Sequence, residues 1–187
     1  MPEVMDLRAE AIESGIRALG GIQKVEFYAA SGLPANLKVE MDVLEKSGLM
    51  RVLVRDSLAD LALPFDPDLL IPMPLGADGM GKTVANHMGI DYALMRWIDK
   101  TPGHRKVVHR TREDLRKIRT ARRIMLFDDV FSTGGTLLAA YNKPNIGEKT
   151  VGALTIWDRS DGTASQNFPV AVESIVKRHI PFWSEQT

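Results

Sequence analysis

Ile124-Met125-Leu126-Phe127-Asp128-Asp129-Val130-Phe131-Ser132-Thr133-Gly134-Gly135-Thr136 is the stretch on which the reading of this chain turns. Its first four residues are apolar and suit a strand buried on both faces of a sheet. Two adjacent carboxylates end that run, and a turn rich in hydroxyls and glycine then opens a helix. Glycines let backbone N–H groups converge on an anion, because no Cβ blocks the approach or restricts φ. A helix N-terminus adds unpaired donors and a favourable dipole, and Ser132, Thr133 and Thr136 supply further donors. Together these features describe a cradle for a phosphate monoester. Carboxylates directly before it would repel that phosphate. They make sense if they accept hydrogen bonds from sugar hydroxyls close by, or face a cation. The segment therefore implies phosphate, sugar hydroxyls and a divalent metal together. The plainer explanation is a strand ending in an Asp-capped turn and a Ser/Thr-capped helix. It competes well for Ser-Thr-Gly-Gly-Thr alone, and poorly once the apolar run and the paired acids stand in register with it. No Gly-Lys-Ser/Thr follows the glycines of this segment, and Gly-x-Gly-x-x-Gly is missing from it, so it is neither a Walker loop nor a dinucleotide fingerprint.

The flanking sequence continues the pattern. Residues 68–73 read as a short apolar strand, 76–81 as a glycine-rich loop, and 82–88 as a helix stopped by Gly89. Strands are expected over 92–98, 123–127, 150–157 and 170–176, with a helix over 134–141. Strand–loop–helix units in succession predict an α/β fold, a mostly parallel sheet with helices on both faces. Ligands of such sheets bind beyond the carboxyl ends of the strands, and the loops at 76–81 and 130–136 fall there. Ahead of these units, residues 3–19 read as a helix on the recurrence of Val4, Leu7, Ala11, Ile12 and Ile16. Residues 24–30 and 37–41 form a hairpin-like pair around Ser31-Gly32-Leu33-Pro34. Residues 42–63 read as helical, with Gly48 a candidate break. No repeat or linker is visible, so one domain over 1–187 is expected.

The composition, 44% hydrophobic and 26% charged, is that of a globular chain able to build a core. Cysteine is absent, which excludes disulfides and thiolate metal sites. No apolar run approaches the ~18–20 residues of a membrane span. The first 13 residues lack a signal-peptide pattern, so a cytoplasmic protein without membrane attachment is expected. Net charge is zero but uneven. Residues 96–123 carry 11 Lys/Arg against 3 Asp/Glu, which leaves 13 bases and 21 acids elsewhere, or +8 against −8. Such a block suits an anionic partner, or else forms a solvated face.

The segment 124–136 resembles the signature of the type I phosphoribosyltransferases. That resemblance implies that Asp128 and Asp129 hold the ribose hydroxyls of 5-phosphoribosyl-1-pyrophosphate (PRPP). Ser132, Thr133, Gly134, Gly135 and Thr136 would wrap its 5-phosphate. Four further segments, in the same order, look like orotate phosphoribosyltransferase. They are Phe27-Tyr28-Ala29-Ala30-Ser31-Gly32, residues 71–81, Arg96-Trp97-Ile98-Asp99-Lys100-Thr101-Pro102-Gly103, and Ile156-Trp157-Asp158-Arg159. The resemblance implies a hood at about 20–41, a pyrophosphate loop containing Gly76, Ala77, Asp78 and Gly79, and a basic lid at about 98–121. Lys100, supported by Arg96, Arg105 and Lys106, would be the cation at the pyrophosphate, and Asp129 completes the catalytic set. Arg159, Phe27 and Ser31 would meet the base. Magnesium would be held mainly by PRPP and water, near Asp128 and Asp129, with no direct protein ligand. A homodimer follows from the same resemblance.

This sequence departs from the orotate pattern at Ala30 and Trp97, where lysines are usual, at Asp78-Gly79 in place of Gly-Gly, and at Pro102 in place of histidine. These positions touch substrate contacts more than the 5-phosphate site. The expected reaction is displacement of pyrophosphate from ribose C1 by a ring nitrogen of a base, orotate first, in pyrimidine nucleotide synthesis. The alternatives are a non-catalytic PRPP sensor whose basic loop binds nucleic acid, and a purine-type transferase. No added DNA-binding helix pair is present, so nucleic acid is not the expected partner. Asp78 reads equally as a helix N-cap, Phe27 as a core residue, and Arg159 as the partner of Asp158 or Asp161. His87, His104, His109 and His179 lack metal-ligand spacing.

Overall fold

The computed structural model describes residues 2–28, 34–99 and 106–181. A first helix, α1 (Pro2–Ala18), leads into an antiparallel hairpin of β1 (Ile22–Tyr28) and β2 (Pro34–Val39). Only the later part of α1 reaches the core: Ile12 and Ile16 are buried, whereas Val4 and Leu7 are exposed. The helix expected over 42–63 is split. A 3-10 turn spans Asp42–Lys46, and α2 (Gly48–Ala62) restarts after Ser47, whose hydroxyl accepts from Met50 N at 3.4 Å.

The main body follows as β3 (Leu69–Pro72), α3 (Asp78–Met88), β4 (Asp91–Tyr92), β5 (Met95–Asp99), β6 (Lys106–His109), α4 (Arg112–Thr120), β7 (Ile124–Phe131), α5 (Gly135–Tyr141), β8 (Thr150–Asp158), α6 (Thr163–Gln166) and β9 (Val172–Lys177). β3, β4, β7, β8 and β9 form one sheet in the order β4-β3-β7-β8-β9, and every pairing in it is parallel. The expected α/β class with helices on both faces is what the chain adopts.

Both faces of the central strands are apolar, and alternation sorts them. Leu70, Met125, Phe127, Leu154 and Ile156 join Ile12, Ile16, Val54, Leu58 and Val84 from α1, α2 and α3. Leu69, Ile71, Ile124, Leu126 and Ala153 join Ile118 of α4 and Leu137 and Ala140 of α5. Burial on both sides fixes β7 in the middle of the sheet and aims its carboxyl end out of the core.

Three expectations are corrected. The glycine-rich loop is shorter than 76–81, because α3 already starts at Asp78. Gly81 lies inside that helix, where a Cβ would come within 2.5 Å of Pro72, so it serves close helix–strand packing. The strand expected over 92–98 is two strands, and β5 pairs antiparallel with β6. The expected lid of 98–121 is mostly ordered structure, since β6 and α4 occupy 106–120. α4 carries a capping box in which Thr111 Oγ1 accepts from Asp114 N and Asp114 accepts from Thr111 N. Asp114 also accepts from Leu94 N at 2.8 Å, which ties the helix to the end of β4.

Candidate functional site

β7 does not end at its acids, as the sequence suggested, but runs on to Phe131. Asp128 Oδ1 accepts from Asp129 N at 3.1 Å, and Asp129 Oδ1 accepts from Val130 N at 2.9 Å. The buried hydroxyl of Thr155 donates to Asp129 O at 3.1 Å and holds this stretch against β8. Then Ser132, Thr133 and Gly134 turn the chain into α5.

The two glycines of that turn answer to different demands. Gly134 has φ +74°, and a Cβ on it would stand 2.9 Å from the Phe131 ring and 3.2 Å from Phe168. Those two rings pack edge to face with centroids 6.0 Å apart. The protein itself thus requires glycine at 134. Gly135 is exposed, and a Cβ on it would meet only Thr133 Oγ1, 3.6 Å away. Nothing in the described residues demands glycine there; close approach of a ligand would.

The loop after β3 comes to the same place. Met73 N donates to Phe127 O at 2.8 Å, which extends the β3–β7 ladder beyond β3. A Cβ at Gly76 would overlap Asp129 Oδ2, so the loop backbone lies directly against that carboxyl. Ala77 is fully buried and packs into the core, which leaves only its backbone for a ligand. Asp78 is not the N-cap of α3. It sits in the first helical turn, where Arg110 Nη2 donates to its Oδ2 at 2.5 Å.

Burial holds the Asp129 carboxyl above the usual carboxylate range. A side-chain hydrogen bond shared with Asp128 and the Val130 N–H pull the other way, and the negative charge of Asp42 adds to the rise. Asp128, Asp129, Gly76 and the 132–136 turn thus gather at the carboxyl ends of β3 and β7, where ligands of such sheets sit.

The remaining expected residues are more dispersed. Arg96 is exposed on β5 opposite Val108, and Lys106 is exposed at the start of β6 opposite Asp99. Phe27 is half-buried on β1 opposite Ala35 and belongs to neither core cluster. Ser31, Lys100 and Arg105, with Ala30, Pro102 and Gly103, lie outside the described residues. Arg159 is buried. Its guanidinium donates to backbone carbonyls of Leu37 (2.8 Å), Ile180 (3.1 and 3.2 Å) and Pro181 (2.8 Å). Burial lowers its pKa from the ordinary arginine value.

Sequence reasoning noted Trp97 only as a departure, with no role of its own, and missed Arg110. Trp97 Nε1 donates to Pro74 O at 2.6 Å, and Arg110 holds Asp78. No local signal marks either, because their partners lie 23 and 32 residues away in the chain. Asp42 was hidden for the same reason: only folding places its charge near Asp129.

No protein-family model matches the sequence, and no curated protein matches it. Solved structures do. The phosphoribosyltransferases among them include orotate phosphoribosyltransferase from Aeropyrum pernix, with TM-score 0.64 and 14% identity over 88% of this chain and 93% of that one. Mycobacterium tuberculosis orotate phosphoribosyltransferase aligns with TM-score 0.64 and 21% identity over 90% and 95%. Leishmania donovani UMP synthase aligns with TM-score 0.66 and 17% identity; 89% of this chain spans only 35% of that one. Adenine phosphoribosyltransferase from Trypanosoma brucei, in complex with AMP, pyrophosphate and ribose-5-phosphate, aligns with TM-score 0.62 and 13% identity over 94% and 86%. The architecture is therefore the type I phosphoribosyltransferase fold. No helix among the described residues is long and apolar enough to cross a membrane.

Proposed function

We propose that this protein is a magnesium-dependent phosphoribosyltransferase that binds PRPP at the carboxyl end of β7 and passes its phosphoribosyl group to a heterocyclic base. One observation carries the reading. Paired carboxylates, one of them packed against the Gly76 backbone, stand just before a turn with a glycine that protein packing does not require. Asp128 and Asp129 accept the ribose hydroxyls, and the backbone and hydroxyls of Ser132, Thr133, Gly134, Gly135 and Thr136 hold the 5-phosphate. The loop with Gly76, Ala77, Asp78 and Gly79 forms the pyrophosphate side. As the bond from C1 to pyrophosphate breaks, positive charge grows on the ribose and negative charge on the leaving group. Lys100, Arg96, Arg105 and Lys106 face that negative charge and belong to the basic lid of this reading.

The donor set suits Mg2+. That ion keeps several waters and takes one or two carboxylates besides substrate oxygens. Asp128 and Asp129 would face the ion through its waters while PRPP holds it, and no cluster of three metal-binding side chains exists among the described residues. Bound there, the metal would offset the charge gathering on the leaving pyrophosphate.

Orotate is the first base to try, giving orotidine 5-phosphate for pyrimidine nucleotide synthesis, with Arg159, Phe27 and Ser31 on the base side. A purine base is the second reading, favoured by one observation: the Arg159 donors that an orotate carboxylate would need are already given to carbonyls. The working form in this reading is a cytoplasmic homodimer whose lid lysine reaches the neighbouring subunit.

Incubating the protein with Mg2+, PRPP and single bases, orotate, adenine, guanine and uracil among them, should release pyrophosphate with one of them. PRPP binding without release on any base, joined to salt-sensitive retention on DNA, would make the protein a sensor instead. The pocket itself is tested by Gly135→Ala. Its backbone is compatible with alanine, so Tm should stay within about 2 °C of the parent or rise. Ribose 5-phosphate affinity should fall at least about tenfold, since a Cβ would stand where the phosphate approaches. Unchanged affinity would remove the phosphate from this turn.

A further inference from the structure

The departures at Trp97 and Asp78 meet across the same gap. β5 and β6 pair antiparallel and form a hairpin stem. From that stem, the Trp97 indole N–H reaches Pro74 O at 2.6 Å. From the stem's far end, Arg110 Nη2 reaches Asp78 Oδ2 at 2.5 Å and Met95 O at 3.4 Å, while Arg110 N donates to Leu94 O at 2.8 Å. Both ends of the 74–78 loop are thus fastened to the hairpin. Between them lies Gly76, whose backbone rests on the Asp129 carboxyl.

We propose that Trp97 and Arg110 are positioning residues: they pin the loop after β3 to the hairpin stem, hold Gly76 against Asp129, and so preform the pyrophosphate side of the pocket. This rests on the PRPP reading above and assigns a task to two residues that it leaves without one. The geometry has two supports. Pro74 can donate nothing to a ladder, so its carbonyl is the loop's attachment at that end, and an indole N–H is a donor with no acceptor capacity of its own. At the other end, Asp78 Oδ1 is buried without a hydrogen-bond partner among the described residues. Arg110 is therefore what keeps this half-buried carboxylate in place. Without it Oδ2 is left as unpartnered as Oδ1, and the start of α3 must shift to hydrate them. The ion pair is only part-shielded, with 34% of the Arg110 side chain and 15% of the Asp78 side chain exposed, so its role is registration more than stability.

The test uses Trp97→Phe, which removes the N–H and keeps an aromatic body, and Arg110→Gln, which removes the charge. Arg110→Lys is the conservative partner. Hydrogen exchange of residues 74–79 is measured together with titration of ribose 5-phosphate and of PRPP. The expected result is faster exchange in the loop and about tenfold weaker PRPP binding in Trp97→Phe and Arg110→Gln. Ribose 5-phosphate affinity should move less than about twofold, and Arg110→Lys should restore part of the PRPP loss. If the parent binds both ligands and the variants match it in exchange and affinity, the inference falls and the pocket reading stands. Equal losses for both ligands would show a structural effect and also overturn it. If the parent binds neither, the pocket reading fails and takes the inference with it.

Discussion

Arg159→Ala should lower Tm by about 6–12 °C, before any question of catalysis arises. The side chain is buried, and its donors serve three carbonyls from distant parts of the chain: Leu37 in β2, and Ile180 and Pro181 after β9. Hydrogen bonds from a charged donor are worth about 1.5–3 kcal/mol each, and a buried acceptor left unpaired costs about 1–3 kcal/mol. Water can reach some of these carbonyls once the side chain is gone, so a total near 3 kcal/mol is expected, not the sum. At about 2–4 °C per kcal/mol for a chain of this size, that gives the stated fall. Arg159→Lys should recover only a small part, because one ammonium cannot span three acceptors as the planar fork does. Thermal unfolding of the three proteins decides. A change under about 2 °C for the alanine variant would mean that the carbonyls do not depend on this residue.

The same arginine shows where sequence and structure part company. Trp157-Asp158-Arg159 at a strand end reads as a ligand-facing arginine, and no local pattern tells a carboxylate partner from backbone carbonyls 21, 22 and 122 residues away. The central sheet was far more legible. Ile124, Leu126, Met125 and Phe127 are apolar on both faces because both faces are covered, and a run of that kind has few other uses. Gly134 and Gly135 stood out equally in the sequence, yet only the first is held to glycine by φ and by Phe131. α4 is hard to see in the sequence because Arg112, Arg116 and Arg119 dominate its composition, and a basic run reads as a loop. Its signals were present nonetheless: Thr111 three residues before Asp114, Glu113 three before Arg116, and Leu115 with Ile118 as the apolar side. The exposed start of α1 is the opposite case. Val4 and Leu7 keep the helical period yet are exposed.

Asp129→Asn should separate stability from binding, raising one and destroying the other. Burial holds the Asp129 carboxyl above the usual range, and Asp42 adds to the effect. A carboxyl with a folded-state pKa above its unfolded value binds more protons folded than unfolded between the two. Stability therefore falls as pH rises through that window, and the deficit is complete above the folded value. Asparagine does not titrate, keeps the acceptor that Val130 N uses at 2.9 Å, and offers N–H donors toward Asp128. The variant should thus exceed the parent in Tm at pH 8, with the difference shrinking as pH falls toward 4. A gain that is equal at both pH values would assign the effect to packing and not to the charge. Ligand binding should move the other way. The ionised carboxylate accepts from ribose hydroxyls, and charge-assisted bonds of this kind contribute about 1.5–3 kcal/mol, so ribose 5-phosphate affinity should fall about 10–100-fold. A residue kept at a cost to the unliganded fold has its purpose in what it binds. A variant that is both more stable and fully able to bind the sugar would leave Asp129 with no purpose and the pocket without its ribose end.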